Sequence, residues 1–457
     1  MILSSLKSGW VLLLAVAFAA TLALLPANAA NNEAVGRALE KLMKSENVKT
    51  GSERTDADFD KLREFYRTRS FKPVWSRDSG PKGKAKALVA ELSSSAVHGL
   101  SSSFYGIKEI KKLMGSKKPD DLARLDMLLS GALTDFGYDL VNGRISGTAG
   151  GEWNRVKPIE INPAELVSGA ADGGNLRSYV SKIVQPDYRY VRLIAKIAEF
   201  KRLEQSNYWP KTKLGSRTIG KGKADKRIAA VSRILTVSGD LSPNDISGTN
   251  VLGKKLSAAL VRYQTRHGLP ATGIVDKSTL RELSQPIASK IIKMQLNLER
   301  RRWENRVLDG NSIYLNLADG AAKISKSGKT QAVIKIAQAN ELASTPTQYG
   351  HVTGVRLANA KTVALVFQPL QDGLSPIEIP ISGSTDDALS ALSKITNKEA
   401  VKLKSDLEAA DGKRLKLSEP IAMFITYITA WANRDGSINF RQDKLARDQR
   451  LQKLLKL

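Results

Sequence analysis

The sequence predicts a multi-domain α+β protein with a mostly helical scaffold, a small helical module and a β-rich carboxy-terminal domain. Three observations carry this expectation. Apolar residues recur at helical spacing from about residue 55 to residue 303. The period shortens after Glu304 to brief runs rich in β-branched and aromatic residues. Glycine and asparagine punctuate the helical half at Asn142-Gly143 and again between residues 147 and 151.

The amino terminus reads as an export signal over residues 1–29. Lys7 supplies the positive start, Trp10 to Leu25 is apolar apart from Thr21, Pro26 ends the run, and Ala27-Asn28-Ala29 is a small-x-small cleavage pattern. The alternative is a retained amino-terminal anchor, which the short run disfavours. Residues 30–54 read as a linker with one short amphipathic helix through Val35, Leu39, Leu42 and Met43.

A helical scaffold is expected over 55–225. Asp56 is placed to cap a helix through Phe59, Leu62, Phe65 and Tyr66, and Leu88, Val89 and Leu92 continue the pattern. Leu122, Leu125, Leu128, Leu129, Leu133, Phe136 and Leu140 define a long helix that Gly143 terminates. Tyr188, Tyr190, Leu193, Ile194, Ile197, Phe200 and Leu203 define another. Residues 226–286 form a compact module: a helix through Ile228, Val231, Ile234 and Leu235, a second through Leu256, Ala259, Leu260 and Tyr263, and a third capped by Asp276. Residues 287–303 are a linker helix ending in Arg300-Arg301-Arg302-Trp303. In 304–457, β-runs are expected at 312–317, 333–336, 352–357, 363–367 and 377–381. A charged helix over 385–409 and closing strands at 421–430 and 437–441 follow.

The chain contains no cysteine, which excludes disulfides, thiolate metal sites and thiol nucleophiles together. Three histidines argue against a multi-histidine metal site, so neither metal nor cofactor is expected. Basic residues exceed acidic ones by 71 − 45 = 26, a balance that attracts polyanions or simply solubilises the surface. Lys111-Lys112, Lys117-Lys118 and Arg300–Arg302 are the basic clusters that either meet such a polymer or form solvated faces. Trp75, Trp153, Trp209, Trp303 and Trp431 are scattered without a stacking platform, so nucleic acid is not an expected partner. Gly328-Lys329-Thr330 ends like a phosphate loop, but Lys323 stands where the first glycine is required, which leaves a polar turn between strands.

Beyond these readings, ordered motifs from Phe65 to Asp443 resemble one family. Phe65-Tyr66-Arg67, Phe71-Lys72-Pro73-Val74-Trp75 and His98-Gly99-Leu100, with Tyr105, resemble the opening of its scaffold domain. Leu133-Thr134-Asp135-Phe136 and Gly143-Arg144-Ile145 resemble the scaffold's long helix and its exit. Tyr263-Gln264, His267-Gly268-Leu269, Gly273-Ile274-Val275 and Thr279-Leu280 resemble a small peptidoglycan-binding module. Asn297-Leu298-Glu299-Arg300 with Arg302-Trp303, then Tyr427-Ile428-Thr429-Ala430-Trp431, Asp435-Gly436 and Phe440-Arg441-Gln442-Asp443, resemble the linker and final strands of a transpeptidase domain. The family is the large, periplasmic type of L,D-transpeptidase, and the resemblance implies acyl exchange on peptidoglycan stem peptides by a histidine-activated cysteine.

This chain departs from that pattern where the chemistry belongs. Between Thr345-Pro346 and Pro420 lie 73 residues with no cysteine and one histidine, His351. Ser382 and Ser384, in Ile381-Ser382-Gly383-Ser384-Thr385, are the substitute nucleophiles to consider, or else a polar turn before a helix. The expectation is therefore a periplasmic pseudoenzyme with no catalytic residue, binding peptidoglycan or another anionic envelope polymer. The alternatives are an active acyltransferase with a non-cysteine nucleophile and a structural partner of an active wall-synthesis enzyme. A membrane would be met only through an uncleaved amino-terminal segment. Tyr263, Arg266 and His267 are the candidate peptidoglycan contacts, with a core role the alternative for Tyr263. His98 and His267 each precede Gly-Leu, which suits a helix end as well as a ligand contact.

Overall fold

The computed structural model describes residues 33–45, 59–145, 155–183, 188–206, 208–210, 214–304, 308, 310–336, 342, 344–359, 362–396 and 398–457. The expected signal segment, Asp56, most of the loop around 147–151 and Trp153 lie outside them. The described chain packs as two compact units. The first takes residues up to Ser93, then Ser102–Phe136 and Ile161–Ser181. The second takes Ser94–Ser101, Gly137–Glu160 and Lys182–Leu457.

The first unit is helical: α1 (Glu33–Lys44), α2 (Phe59–Thr68), α3 (Gly83–Ser93), α4 (Ile107–Leu113), the start of α5 (Pro119–Asn142), α6 (Pro163–Asp172) and most of α7 (Leu176–Ile183). A short hairpin, β1 (Ser76–Arg77) with β2 (Gly80–Pro81), joins α2 to α3. Its polar anchor is Asp126 on α5, fully buried. The carboxylate accepts the amides of Val74, Trp75 and Ser76 at 2.7–2.8 Å, the Ser76 hydroxyl at 2.6 Å and the Tyr66 hydroxyl at 2.8 Å. These bonds let one buried charge hold an irregular segment whose amides would otherwise go unpaired.

The second unit contains the helices α8 (Tyr188–Gln205), α9 (Ile228–Val237), α10 (Lys254–Arg266), α11 (Lys277–Leu283) and α12 (Ile287–Trp303). They share a core through Tyr190, Leu193, Ile197, Phe200, Leu235, Leu260, Tyr263, Met294 and Leu298. Asp276 caps α11 as expected, its carboxylate accepting from Thr279 N at 2.8 Å. Helix α12, expected as a linker, has the burial of a core helix: residues Met294 to Trp303 are all buried.

The β-rich part closes into a seven-stranded barrel, ordered β3 (Ser312–Asn316), β4 (Ala321–Lys326), β5 (Lys329–Ile336), β8 (Ile377–Ser382), β7 (Thr362–Pro369), β6 (Gln348–Asn359) and β9 (Leu415–Thr426). Strands β3 and β9 close it in parallel, with Ile313 opposite Met423. Ile313, Leu315, Ile324, Leu365, Phe367, Ile379, Met423 and Ile425 fill the interior. Helices α13 (Thr385–Ser393) and α14 (Ala400–Ala409) add Leu389, Leu392, Leu403 and Leu407 to that core.

Two expectations need correction, while the polar turn expected between strands is found. Strand β4 was not anticipated, because Ala321-Ala322-Lys323-Ile324-Ser325-Lys326 has weak β-propensity; pairing to β3 and β5 on both sides holds it. The Ser327-Gly328 turn after it has φ of 48° and 74°, so the phosphate-loop lookalike is a tight hairpin turn. The single helix over 385–409 is two, broken beside the β-branched pair Ile395-Thr396, where Ile395 is buried.

The closing strand over 421–430 also divides. Beyond Thr426 the backbone leaves the sheet because side chains satisfy it. Asn316 Nδ2 donates to Ile428 O at 3.0 Å and Ile428 N to Asn316 Oδ1 at 2.8 Å, while Thr429 N donates to Asn297 Oδ1 at 2.8 Å. A separate hairpin follows, β10 (Ala430–Ala432) with β11 (Ile438–Phe440). Tyr427 stays in the barrel core, whereas Ala430, Ile438 and Phe440 join the helical core. Trp431 is half-buried under Arg441 at 4.8 Å. The chain ends in α15 (Arg447–Leu455).

Candidate functional site

Tyr263, Arg266 and His267 sit together at the end of α10, and the polar groups of Arg266 and His267 are turned to partners within the protein. Tyr263 is fully buried, and its ring stacks on His267 at 3.8 Å between centroids. Arg266 bonds the Asp240 carboxylate, the Ser238 carbonyl and the Ile438 carbonyl. His267 faces Glu282 at 2.9 Å through Nδ1, and Lys290 Nζ reaches the same carboxylate at 2.6 Å. A carboxylate paired with a lysine only accepts, so His267 is neutral with its proton on Nδ1. Burial first, then the charge of Lys290, pulls His267 down to about 3. The trio therefore joins α10 to α11, α12 and β11. Lys226, Lys254 and Lys277 of the module are exposed, as are Lys221 and Lys223 just before it.

His98 closes a 3-10 turn before Gly99, whose φ is 68°. Its Nδ1 lies 3.2 Å from the Tyr190 hydroxyl, and burial, then the Arg302 charge, lowers it to about 4. Both His-Gly-Leu motifs end helical turns, and both rings are held inside the second unit.

Among the described residues neither serine hydrogen-bonds a histidine. Ser384 caps α13, its hydroxyl accepting from Asp387 N at 3.1 Å and donating to Asp387 Oδ2 at 2.7 Å. His351 opposes Gln368 on β7, while Pro380 of β8 opposes Ala364, four residues away (368 − 364). That is about 13 Å along the strand, and Ser382 lies two residues further, with the width of β7 also intervening. A hydrogen-bonded serine–histidine pair is out of reach in this geometry.

A cleft lies on the outside of the barrel. Strand alternation that points Ile313, Leu315, Ile324 and Met423 inward points Ser312, Tyr314, Asn316, Lys323 and Phe424 outward. Together with the start of α8, the end of α12 and the β10–β11 hairpin they enclose a cleft of about 620 Å³. In its floor Glu304 accepts from Arg301 Nη1 at 2.8 and 3.0 Å and from the Tyr314 hydroxyl at 2.7 Å, and pairs with Arg189 at 3.1 Å. Burial raises the Tyr314 hydroxyl, so it stays protonated. Tyr349 and Phe424 pack at 4.3 Å, and Trp431 and Tyr188 complete the aromatic lining. Sequence reasoning did not single out this site, since only barrel closure brings residues 188, 304, 314 and 431 together. The outward aromatic residues at alternate strand positions were the one available signal. Among the described residues no group of three or more histidine, cysteine or carboxylate side chains is placed to hold a metal.

Comparison with known proteins adds two family matches. Residues 60–196 match the family described as "Scaffold domain", and residues 226–283 match "Putative peptidoglycan binding domain". The order scaffold domain, peptidoglycan-binding domain and β-rich domain fits the large L,D-transpeptidase type. No curated protein matches the chain. Among solved structures, the L,D-transpeptidase (residues 123–326) from Xylanimonas cellulosilytica aligns at 11% identity over 46% of this chain and 98% of its own, with a TM-score of 0.17. A score that low carries no argument about this fold or its chemistry.

Proposed function

We propose that the protein is an exported, non-catalytic cell-wall protein that binds peptidoglycan through residues 226–286. The observation that carries this reading is the family match over 226–283 in a chain without cysteine. Its organisation is a signal segment (1–29), a linker (30–54), a helical scaffold (55–225), the binding module, the helix 287–303 and a degenerate transpeptidase-like domain (304–457). Its compartment is the periplasm. Tyr263, Arg266 and His267 act in this reading by holding the module's shape, and the exposed lysines supply attraction to the anionic wall. The absence of a thiol and the distance of Ser382 from His351 support the non-catalytic part of this reading. Among the described residues no helix is long and apolar enough to cross a membrane.

The test is pelleting of purified protein with isolated sacculi. Binding at low ionic strength that weakens with added salt supports the reading. Protein left in the supernatant at low salt refutes it. A parallel assay on muropeptides checks the chemistry: turnover abolished by Ser382→Ala or Ser384→Ala would make the protein an enzyme.

A further inference from the structure

We propose that the cleft on the outer face of the barrel binds a neutral saccharide, one or two rings of an amino-sugar glycan. This deepens the wall-binding reading and rests on it for the source of the glycan. Three features of the lining select this chemistry. Its volume, about 620 Å³, lies within the range of roughly 300–1,000 Å³ for small-ligand sites. Aromatic rings build its wall: Tyr349 and Phe424 are buried behind half-buried Tyr314, and Trp431 and Tyr188 stand at the mouth, Tyr188 being 52% exposed. Arg441 stands over one face of Trp431, and a ring has a second face for the C–H side of a sugar.

The third feature is the charge pattern. Glu304 is held by Arg189 and Arg301, and Asp319 by Arg441 at 2.6 Å. Lys323 and Arg434, both exposed, also line the cleft, so a cationic ligand would meet positive charge on every side, while donors and the two held carboxylates stand close together. A polyhydroxy ligand suits such a mixed lining, because each hydroxyl both donates and accepts. It can take N–H donors from the guanidinium groups and give O–H donors to the carboxylate oxygens and Asn316.

The experiment uses the full chain and two probes, a β-1,4-linked N-acetylglucosamine tetramer and a sugar-free stem tetrapeptide. Tryptophan fluorescence and calorimetry follow each titration. The tetramer is expected to bind, with Trp431→Ala and Tyr188→Ala each weakening it by roughly tenfold. Tyr188 is exposed, so its variant keeps the test valid should Trp431→Ala fail to fold. No tetramer binding up to millimolar concentration, binding that neither variant alters, or a tetrapeptide that binds and is lost in both variants, overturns the proposal. Sacculus pelleting separates the two readings. Pelleting that persists while the tetramer fails leaves residues 226–286 as the wall contact and removes the cleft.

Discussion

Two basic stretches of similar appearance in the sequence have opposite fates. Lys111, Lys112, Lys117 and Lys118 are all exposed, and among the described residues none forms an ion pair. Arg300, Arg301 and Arg302 are all buried, at 1%, 8% and 4% exposure. Each finds its own carboxylate. Arg300 pairs with Asp448 at 2.6 Å, Arg301 with Glu304 at 2.8 Å and Arg302 with Glu299 at 2.5 Å. Arg302 also donates to His98 O at 2.9 Å and to the Tyr190 hydroxyl at 3.0 Å. The planar guanidinium, with five donors, can engage several acceptors at once, as Arg302 does with Glu299, His98 and Tyr190. A run of positive charge is therefore no guide to a polymer-binding surface until its acceptors are known.

The sharpest way to break this contrast is to remove one buried partner. Arg300→Ala or Asp448→Ala should destabilise the second unit by about 3–5 kcal/mol, measured by urea unfolding, because the other charge is stranded. Thr429, whose hydroxyl donates to Asp448 at 2.9 Å, loses its acceptor as well in the second variant. The double variant Arg300→Met/Asp448→Leu should recover much of that loss. Recovery that is absent would mean the pair itself, rather than the stranded charge, carries the stability.

A smaller effect is expected at Gly143, with φ of 84°. A Cβ there would lie 2.7 Å from both Glu299 Oε1 and Trp303 Nε1, and Glu299 also accepts from Ile145 N at 2.7 Å. Gly143→Ala should cost about 1–3 kcal/mol through backbone strain and displacement of the carboxylate that holds Arg302. A neutral result would show that Glu299 is free to move.

Acid should expose the same buried chemistry. His98 and His267 are depressed to about 4 and about 3, while unfolded histidine titrates near 6.5. The unfolded state binds the protons first, so stability is full above about 6.5 and falls as pH drops through that value toward 4. Urea midpoints at pH 7.5 and 5 should show the loss, and His98→Gln or His267→Gln should shrink the difference. An unchanged difference in both variants would refute the assignment.

The smallest expected change in stability is at the lysines. Replacing Lys111, Lys112, Lys117 and Lys118 together by glutamine should leave the melting temperature unaltered, as for other solvated charges. If the variant nonetheless pellets less with sacculi at low salt, these lysines join the surface that attracts the wall.

Much of the helical half was legible before the structure. The long helix through Leu122 and Leu140, the stop at Gly143 and the cap at Asp276 are local signals, written within a few residues of where they act. Strand β4 and the end of β9 were not legible, because their pairing depends on neighbours far along the chain. Ile428 leaves the sheet for Asn316, 112 residues away. The candidate contacts Tyr263, Arg266 and His267 were found as a cluster, but their inward orientation follows from Asp240, Glu282 and Ile438.

What the sequence alone determined is chemical and local. It excludes thiol catalysis because there is no thiol, it makes the protein strongly basic, and its apolar periods set helices before strands. Tertiary structure decided which charges meet water and which meet carboxylates, and it assembled a cleft from residues 188 to 434. The physical reason is range. Propensity, capping and turn chemistry act over a few residues, whereas the desolvation of an arginine or the closing of a barrel is resolved only by partners that folding brings from elsewhere.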